Sequence, residues 1–95
     1  MVTIIATEKG KCVEFSLRLM QDCRVAVAGT FNHWNPEELW MSKAEGEDCY
    51  RCKVELMPGI YEYCFILDGA WFMDPENQRF VANEFGTMNS ILEIQ

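Results

Sequence analysis

The stretch IYEYCFILDGAWFM, which runs from Ile60 to Met73, consists of two apolar runs on either side of Asp68-Gly69. Asp-Gly is typical of a two-residue type I′ turn, because both central positions of that turn need a positive φ. The turn predicts an antiparallel hairpin with four cross-strand pairs: Leu67 with Ala70, Ile66 with Trp71, Phe65 with Phe72, and Cys64 with Met73.

This hairpin has two faces of different character, since directly paired residues share a face. One face is aromatic, and we expect it to belong to the core; its members are Tyr61, Tyr63, Phe65, Leu67 and Phe72. The other face carries Glu62, Cys64, Ile66, Trp71 and Met73. In a two-sheet protein of this size the second face should meet solvent. Trp71 is therefore predicted to be exposed.

The rest of the chain also predicts strands. CVEFSLRL (12–19) and CYRCKVEL (49–56) alternate between apolar and polar residues, and CRVAVAG (23–29) and SILEI (90–94) are further candidates. ELWMSK (38–43) is a weaker candidate, and VTIIAT (2–7) is an additional one. Short strands at regular spacing with turn signals between them are typical of a β-sandwich. We predict one all-β domain over residues 1–95, a sandwich of two antiparallel sheets.

Composition and charge restrict the function. The chain has 95 residues, of which 49% are hydrophobic, and a formal net charge of −7. A phosphate backbone or an anionic membrane would be repelled by this surface, so neither nucleic acid nor membrane is an expected partner. The N-terminal stretch has no basic region before its short apolar run and does not resemble a signal peptide.

Five cysteines are present: Cys12, Cys23, Cys49, Cys52 and Cys64. An odd count without an export signal favours free thiols and a cytoplasmic location. Cys49 and Cys52 have the spacing of a zinc or redox pair, but on a strand positions three apart point to opposite faces. We therefore expect no metal site and no cofactor.

A second tryptophan lies in the loop-forming stretch VAGTFNHWNP, from Val27 to Pro36. Trp34 is surrounded there by residues that favour turns. Taken alone, Trp34 or Trp71 is as compatible with capping the sandwich as with binding. Together with nearby amides and hydroxyls, the pair suits a ligand with apolar faces and a hydroxyl edge, which describes a sugar. We expect the two rings to form one exposed platform outside the core.

Three stretches carry a resemblance to a known family: VAGTFNHWNP, LMPGIYEYCFILDGAWFMDPEN and NEFGTMNSILEI. They resemble the family 48 carbohydrate-binding modules, most of all the glycogen-binding domain of AMP-activated protein kinase β subunits. The resemblance extends from about Cys12 to Ile94. It implies an immunoglobulin-like β-sandwich that binds α-1,4-linked glucans and is not an enzyme.

The resemblance also implies roles for individual residues. Trp34 and Trp71 would stack on neighbouring glucose rings, and Phe85 would supply a further apolar contact. Thr87 and Asn89 would hydrogen-bond sugar hydroxyls, although ordinary turn chemistry before the last strand also accounts for both.

Position 64 departs from the family pattern, because Cys64 stands where these modules have a sugar-binding Lys. A thiol is a short and weak donor, and a charge-assisted hydrogen bond contributes about 1.5–3 kcal/mol. Two interpretations remain open: glucan binding weakened about tenfold, or a protein-interaction module on the same fold that has lost sugar binding.

Enzymatic alternatives have little support in the sequence. Glycoside hydrolysis needs two carboxylates flanking a cleft, whereas the acidic residues here cluster in loop-like stretches such as PEEL and EGED. Cys64 and His33 lack a third, orienting group. The 95 residues include neither a catalytic barrel nor a kinase-assembly segment, so we expect any enzyme or kinase subunit that the domain serves to be a separate polypeptide.

Overall fold

A computed structural model of the chain describes residues 2–7 and 10–95. Met1, Glu8 and Lys9, which belong to the predicted domain, lie outside the described residues. The described part forms nine strands: β1 (Val2–Thr7), β2 (Gly10–Arg18), β3 (Val25–Gly29), β4 (Leu39–Met41), β5 (Cys49–Leu56), β6 (Gly59–Leu67), β7 (Ala70–Phe72), β8 (Phe80–Ala82) and β9 (Met88–Ile94). One 3₁₀ turn, Thr30–Asn32, follows β3. No helix in the described ranges has the length and apolar character needed to cross a membrane.

The strands form two antiparallel sheets, which confirms the predicted all-β sandwich. The first sheet has the order β1-β2-β5, and the second has the order β4-β3-β6-β9-β8, with β7 also paired to β6. All of the strand pairs are antiparallel. The shorter candidates for strands at 2–7 and within 38–43 are confirmed as β1 and β4, whereas β8 was not predicted.

The β6–β7 hairpin has the predicted turn and register. Asp68 and Gly69 have φ values of 48° and 87°. Three of the predicted pairs are present, from Leu67 with Ala70 to Phe65 with Phe72. β7 ends at Phe72, so the predicted pairing of Met73 lies beyond the strand. The Asp68 carboxylate also accepts the backbone N–H of Arg24 at 2.8 Å, which fixes the turn to the start of β3.

The core lies between the inner faces of the two sheets. Its largest fully buried apolar side chains are Phe15 from the first sheet and Tyr63 and Phe65 from the second. Phe15 and Tyr63 meet edge to face, with ring centroids 5.0 Å apart. The aromatic face of β6 therefore packs inward, as the alternation in its sequence predicted.

Two expectations about the hairpin faces were wrong. Phe72 was expected in the core but is 43% exposed, because the three-stranded sheet covers only part of the larger sheet. Cys64 and Ile66 were expected to meet solvent, yet each is only 5% exposed. Other parts of the chain must therefore cover the outer face of β6.

The CYRC segment is a strand, as predicted. Cys52 pairs with Phe15 and packs against the core, and burial raises the pKa of its thiol to about 12. Cys49 pairs with Arg18 on the opposite face. Within residues 2–7 and 10–95, no group of three or more His, Cys, Asp or Glu side chains is arranged to hold a metal ion.

Candidate functional site

An open groove of about 800 Å³ lies on the outer face of the six-stranded sheet. Its lining comprises Thr30, Trp34, Glu62, Cys64, Trp71, Asn83, Glu84, Phe85, Thr87 and Asn89. All six residues singled out from the sequence are therefore brought together in one groove. Thr30, Glu62, Asn83 and Glu84 line it as well, and sequence reasoning did not select them.

Trp34 reaches the groove from a strained loop that follows β3. His33 and Trp34 have φ values of 57° and 60°, a left-handed conformation that is unfavourable for residues with a side chain. Backbone and side-chain hydrogen bonds hold the loop in place. The Trp34 N–H donates to the Gly29 carbonyl at 2.9 Å. The Asn32 amide donates to the Val27 carbonyl and accepts the Gly29 N–H.

The Trp34 ring covers part of the outer sheet face. It packs against Ala26, Ala28 and Ile66, which are 0%, 0% and 5% exposed. Two alanines on β3 leave room for a large ring above the sheet. Trp34 is consequently half-buried, and the expectation that it lies wholly outside the packed interior was wrong.

Trp71 forms the adjoining part of the groove and is 53% exposed. Its pairing with Ile66 puts it on the outer face, as the hairpin register predicted. The Trp71 and Trp34 ring centroids are 6.2 Å apart, and the ring planes are inclined by 48°. The two rings therefore form a continuous but angled aromatic surface.

The opposite wall is the loop between β8 and β9, which Asn83 organises. The Asn83 side-chain oxygen accepts the N–H groups of Phe85 and Thr87 at 2.9 and 3.1 Å. Its side-chain NH₂ donates to the Thr87 hydroxyl at 2.7 Å and to the Asn89 side-chain oxygen at 3.1 Å. This arrangement leaves Phe85 83% exposed at the tip of the loop.

The floor of the groove is a short hydrogen-bonded chain of polar side chains. The Cys64 thiol lies 3.4 Å from the Asn89 side-chain oxygen, to which it donates. The Asn89 side-chain NH₂ donates in turn to a Glu62 carboxylate oxygen at 3.0 Å. Asn89 is only 8% exposed, and burial raises the pKa of the Cys64 thiol above its ordinary value. The thiol is therefore uncharged at neutral pH.

The polar side chains that line the groove are either neutral or acidic. Glu62 and Glu84 are its two carboxylates, and its lining, within the described residues, includes no Lys, Arg or His. His33, considered as a base for Cys64, is absent from that lining. A protonated thiol without an adjacent base is a poor nucleophile, so Cys64 is poorly suited to attack a bound molecule.

A buried polar cluster under the site fixes the segment that links Trp71 to the opposite wall. The Tyr63 hydroxyl donates to the Asp74 carboxylate at 2.7 Å, and the Asp74 N–H donates to the Ser90 hydroxyl at 3.1 Å. Asn77 donates to the Tyr63 hydroxyl at 3.0 Å. Asp74 is fully buried, and burial strongly raises the pKa of Tyr63.

The residues that sequence reasoning missed differ in how they could have been found. Asn83 precedes the FGT turn, and an Asn before a turn commonly binds nearby backbone N–H groups. Glu62 shares its strand face with Cys64 and Trp71, so the hairpin register could have identified it. The positions of Thr30 and Glu84 in the groove depend on how distant loops approach each other, and no local sequence pattern identifies these two residues.

Comparison with known proteins gives a family match over most of the chain. A family model described as the glycogen recognition site of AMP-activated protein kinase matches residues 14–95. Human 5′-AMP-activated protein kinase subunit beta-1 is 30% identical over 71 residues, which are 75% of this chain and 24% of that protein. For the pig protein of the same name the identity is also 30%, over 54% of that sequence. The chain thus spans only about a quarter of the length of the human relative.

Solved structures show the same fold. A maltogenic amylase from S. marinus superposes with a TM-score of 0.83 and 25% identity, covering 100% of this chain and 16% of that one. A ferric enterobactin esterase from Salmonella typhimurium superposes with a TM-score of 0.82 and 20% identity, over 98% of this chain and 34% of that one.

Proposed function

Since the chain belongs to the family of glycogen recognition sites of AMP-activated protein kinase, we propose that its groove binds α-1,4-linked glucan without chemical conversion. The observation that supports this most directly is the contact between Trp34 and Trp71, whose rings lie 6.2 Å apart along one open groove. Two inclined aromatic surfaces suit the apolar faces of successive rings in a curved sugar chain.

Thr87 and Asn89 are the proposed hydrogen-bonding residues, and their internal bonds define what each has left to offer. The Thr87 oxygen accepts from Asn83, so its hydroxyl proton is available to a sugar oxygen. The Asn89 oxygen accepts from both Asn83 and Cys64, and one Asn89 N–H donates to Glu62. An amide NH₂ has two donors, so the second remains for the ligand. Phe85, at 83% exposure, supplies the apolar contact from the loop.

Cys64 contributes little directly to the proposed binding. The thiol is 5% exposed and is directed to Asn89 and to the Met88 carbonyl. Its role is to support Asn89 from below, while the groove lacks the cation that the family has at this position. We therefore propose weak binding of a short glucan, with stacking as the main contribution.

A second candidate function follows from that missing cation. The domain could have exchanged sugar for a protein partner that inserts a side chain between Phe85 and the tryptophans, since exposed aromatic residues anchor protein interfaces. In either case we propose that the domain works in the cytoplasm beside an enzyme or kinase subunit, because relatives that it matches are subunits of AMP-activated protein kinase.

The test is titration with glycogen and with a linear maltooligosaccharide, followed by intrinsic tryptophan fluorescence. Sugar stacking predicts a saturable spectral change that is absent with a β-1,4-linked glucose oligomer of the same length. Trp71→Ala should remove most of the binding. Phe72→Ala is the matched control, because Phe72 is the next residue of β7 and is 43% exposed on the other face.

Two results would count against sugar binding. A flat response at millimolar maltooligosaccharide would favour the protein-interaction module. Equal binding of the β-linked control would show that the rings act as a non-specific apolar surface.

A further inference from the structure

A third tryptophan, Trp40, lies on the same sheet face as the groove. The strand register gives a continuous row of cross-strand partners: Trp40 pairs with Ala26, Ala26 with Ile66, and Ile66 with Trp71. Directly paired residues share a face. Trp40 and Trp71 are therefore the two ends of one row that runs across β4, β3, β6 and β7.

The middle of this row lies under Trp34. Ala26 and Ile66 are 0% and 5% exposed, and the Trp34 ring packs on both. Neighbouring strands are about 4.8 Å apart, so three steps place the backbones of Trp40 and Trp71 about 14 Å from each other. The Trp34 ring packs on the cluster that contains Ala26 and Ile66, the two residues between these ends, and its centroid is 6.2 Å from that of Trp71.

The Trp40 side chain is exposed, and a neighbouring guanidinium holds its ring in position. It is 42% exposed although it is the largest residue of its strand. The Arg24 guanidinium lies 4.6 Å from its ring centroid, within the range of a favourable cation–π contact. Arg24 is itself exposed, and a guanidinium has five N–H donors that suit hydroxyl oxygens. An aromatic surface beside hydrogen-bond donors is the same combination that the groove offers.

We propose that Trp40 and Arg24 form an additional sugar subsite beyond Trp34, engaged only by glucans long enough to continue across β3 and β4. This inference rests on the proposed function, because it assigns the direction in which a bound glucan leaves the groove. Short oligosaccharides fill the surface between Trp34 and Phe85. Longer chains gain affinity from the third indole, so the row of tryptophans sets the preferred length of the glucan.

The experiment compares maltotriose with a long linear maltodextrin by isothermal titration calorimetry. In the unmodified protein the long maltodextrin should bind more tightly than the trisaccharide when both affinities are expressed per mole of sugar chains. Trp40→Ala should leave maltotriose affinity unchanged and lower maltodextrin affinity about three- to tenfold, the range expected for one aromatic contact. If the alanine variant is poorly folded, Trp40→Leu takes its place in the test, because it keeps an apolar side chain on β4. It should show the same loss of maltodextrin affinity.

Phe80→Ala is the matched control, since Phe80 is 50% exposed on the inner face of the edge strand β8. It should leave both affinities unchanged. An unaltered ratio of long-chain to short-chain affinity in both Trp40 variants would overturn the subsite, as would an equal loss in Phe80→Ala. A protein that binds neither sugar would overturn the proposed function itself, whereas normal maltotriose binding with no length dependence would overturn only this inference.

Discussion

Replacing Trp34 by Ala separates its packing role from its proposed binding role. Trp34 covers Ala26, Ala28 and Ile66, which would all be uncovered by the substitution. A buried Trp removes about 150–250 Å² from water, which corresponds to about 4–6 kcal/mol at ~25 cal/mol per Å². Because Trp34 is only half-buried and such areas give upper bounds, we expect a loss of about 3 kcal/mol in the free energy of unfolding.

Trp71→Ala provides the comparison within the same groove. Trp71 is 53% exposed, so less of its ring is removed from water than of the half-buried Trp34 ring. We expect a loss of about 1–1.5 kcal/mol, roughly half of the Trp34 value, from the smaller area removed from water. Phe85→Ala is the control for a groove residue without a packing role. At 83% exposure it should change stability by less than about 0.5 kcal/mol.

Urea unfolding followed by far-ultraviolet circular dichroism is the appropriate assay, because it does not depend on tryptophan fluorescence. A loss of 3 kcal/mol in a domain of this size lowers Tm by about 12–24 °C. The slope m should stay constant, since the surface exposed on unfolding hardly changes. A free energy of unfolding for Trp34→Ala within about 0.5 kcal/mol of the unmodified protein would contradict the packing role of Trp34. A larger loss in Trp71→Ala than in Trp34→Ala would contradict it as well.

Three further predictions concern the groove and its loops. Cys64→Lys should strengthen maltooligosaccharide binding by about 0.5–1.5 kcal/mol, the net contribution of one hydrogen bond; calorimetry that shows unchanged or weaker binding would mean that the groove does not hold sugar over this position. His33→Gly should raise the free energy of unfolding by about 0.5–1 kcal/mol in urea, because φ is 57° there; a loss of stability would show that the His33 side chain is needed. A phosphate-bearing maltooligosaccharide should bind less tightly than its neutral counterpart at low salt, because Glu62 and Glu84 line the groove. This difference in affinity should become smaller at high salt and in Glu84→Gln, but it should persist in the control variant Glu45→Gln. Equal affinities of the two sugars at low salt would contradict the prediction.

The parts of the fold that could be predicted are those set by local chemistry. Asp68-Gly69 fixes the turn, the turn fixes the register, and the register places Trp71 on the outer face. Alternation in CVEFSLRL and CYRCKVEL likewise identified β2 and β5, whose inner side chains belong to the core.

The parts that escaped prediction depend on contacts between distant segments. β8 has only three residues, too few to show alternation, and is held by its pairing with β9. Phe72 has the pattern of a core residue, and its exposure reflects the unequal size of the two sheets. Nothing near Cys64 in the sequence shows that a loop residue more than twenty positions away lines the same groove.

The sequence predicted more of the candidate site than of the packing beneath it. Residues chosen by resemblance and hairpin geometry line one groove, but the half-buried state of Trp34 follows from two alanines on β3 that leave space for its ring. No local sequence pattern predicts the hydrogen bonds by which Asn83 positions Phe85 and Thr87, because these bonds depend on the conformation of the loop.

Strand β6 changes partner along one of its edges, with a consequence for motion. It pairs with β9 up to Tyr63 and with β7 from Phe65 onward, and Cys64 lies between the two ladders. The two walls of the groove therefore belong to separate units, with Trp71 on β7 and the opposite loop leading directly into β9. Local opening of one ladder need not break the other. A ligand that contacts both walls couples their opening, so amide hydrogen exchange should slow in β7 and at the start of β9 together.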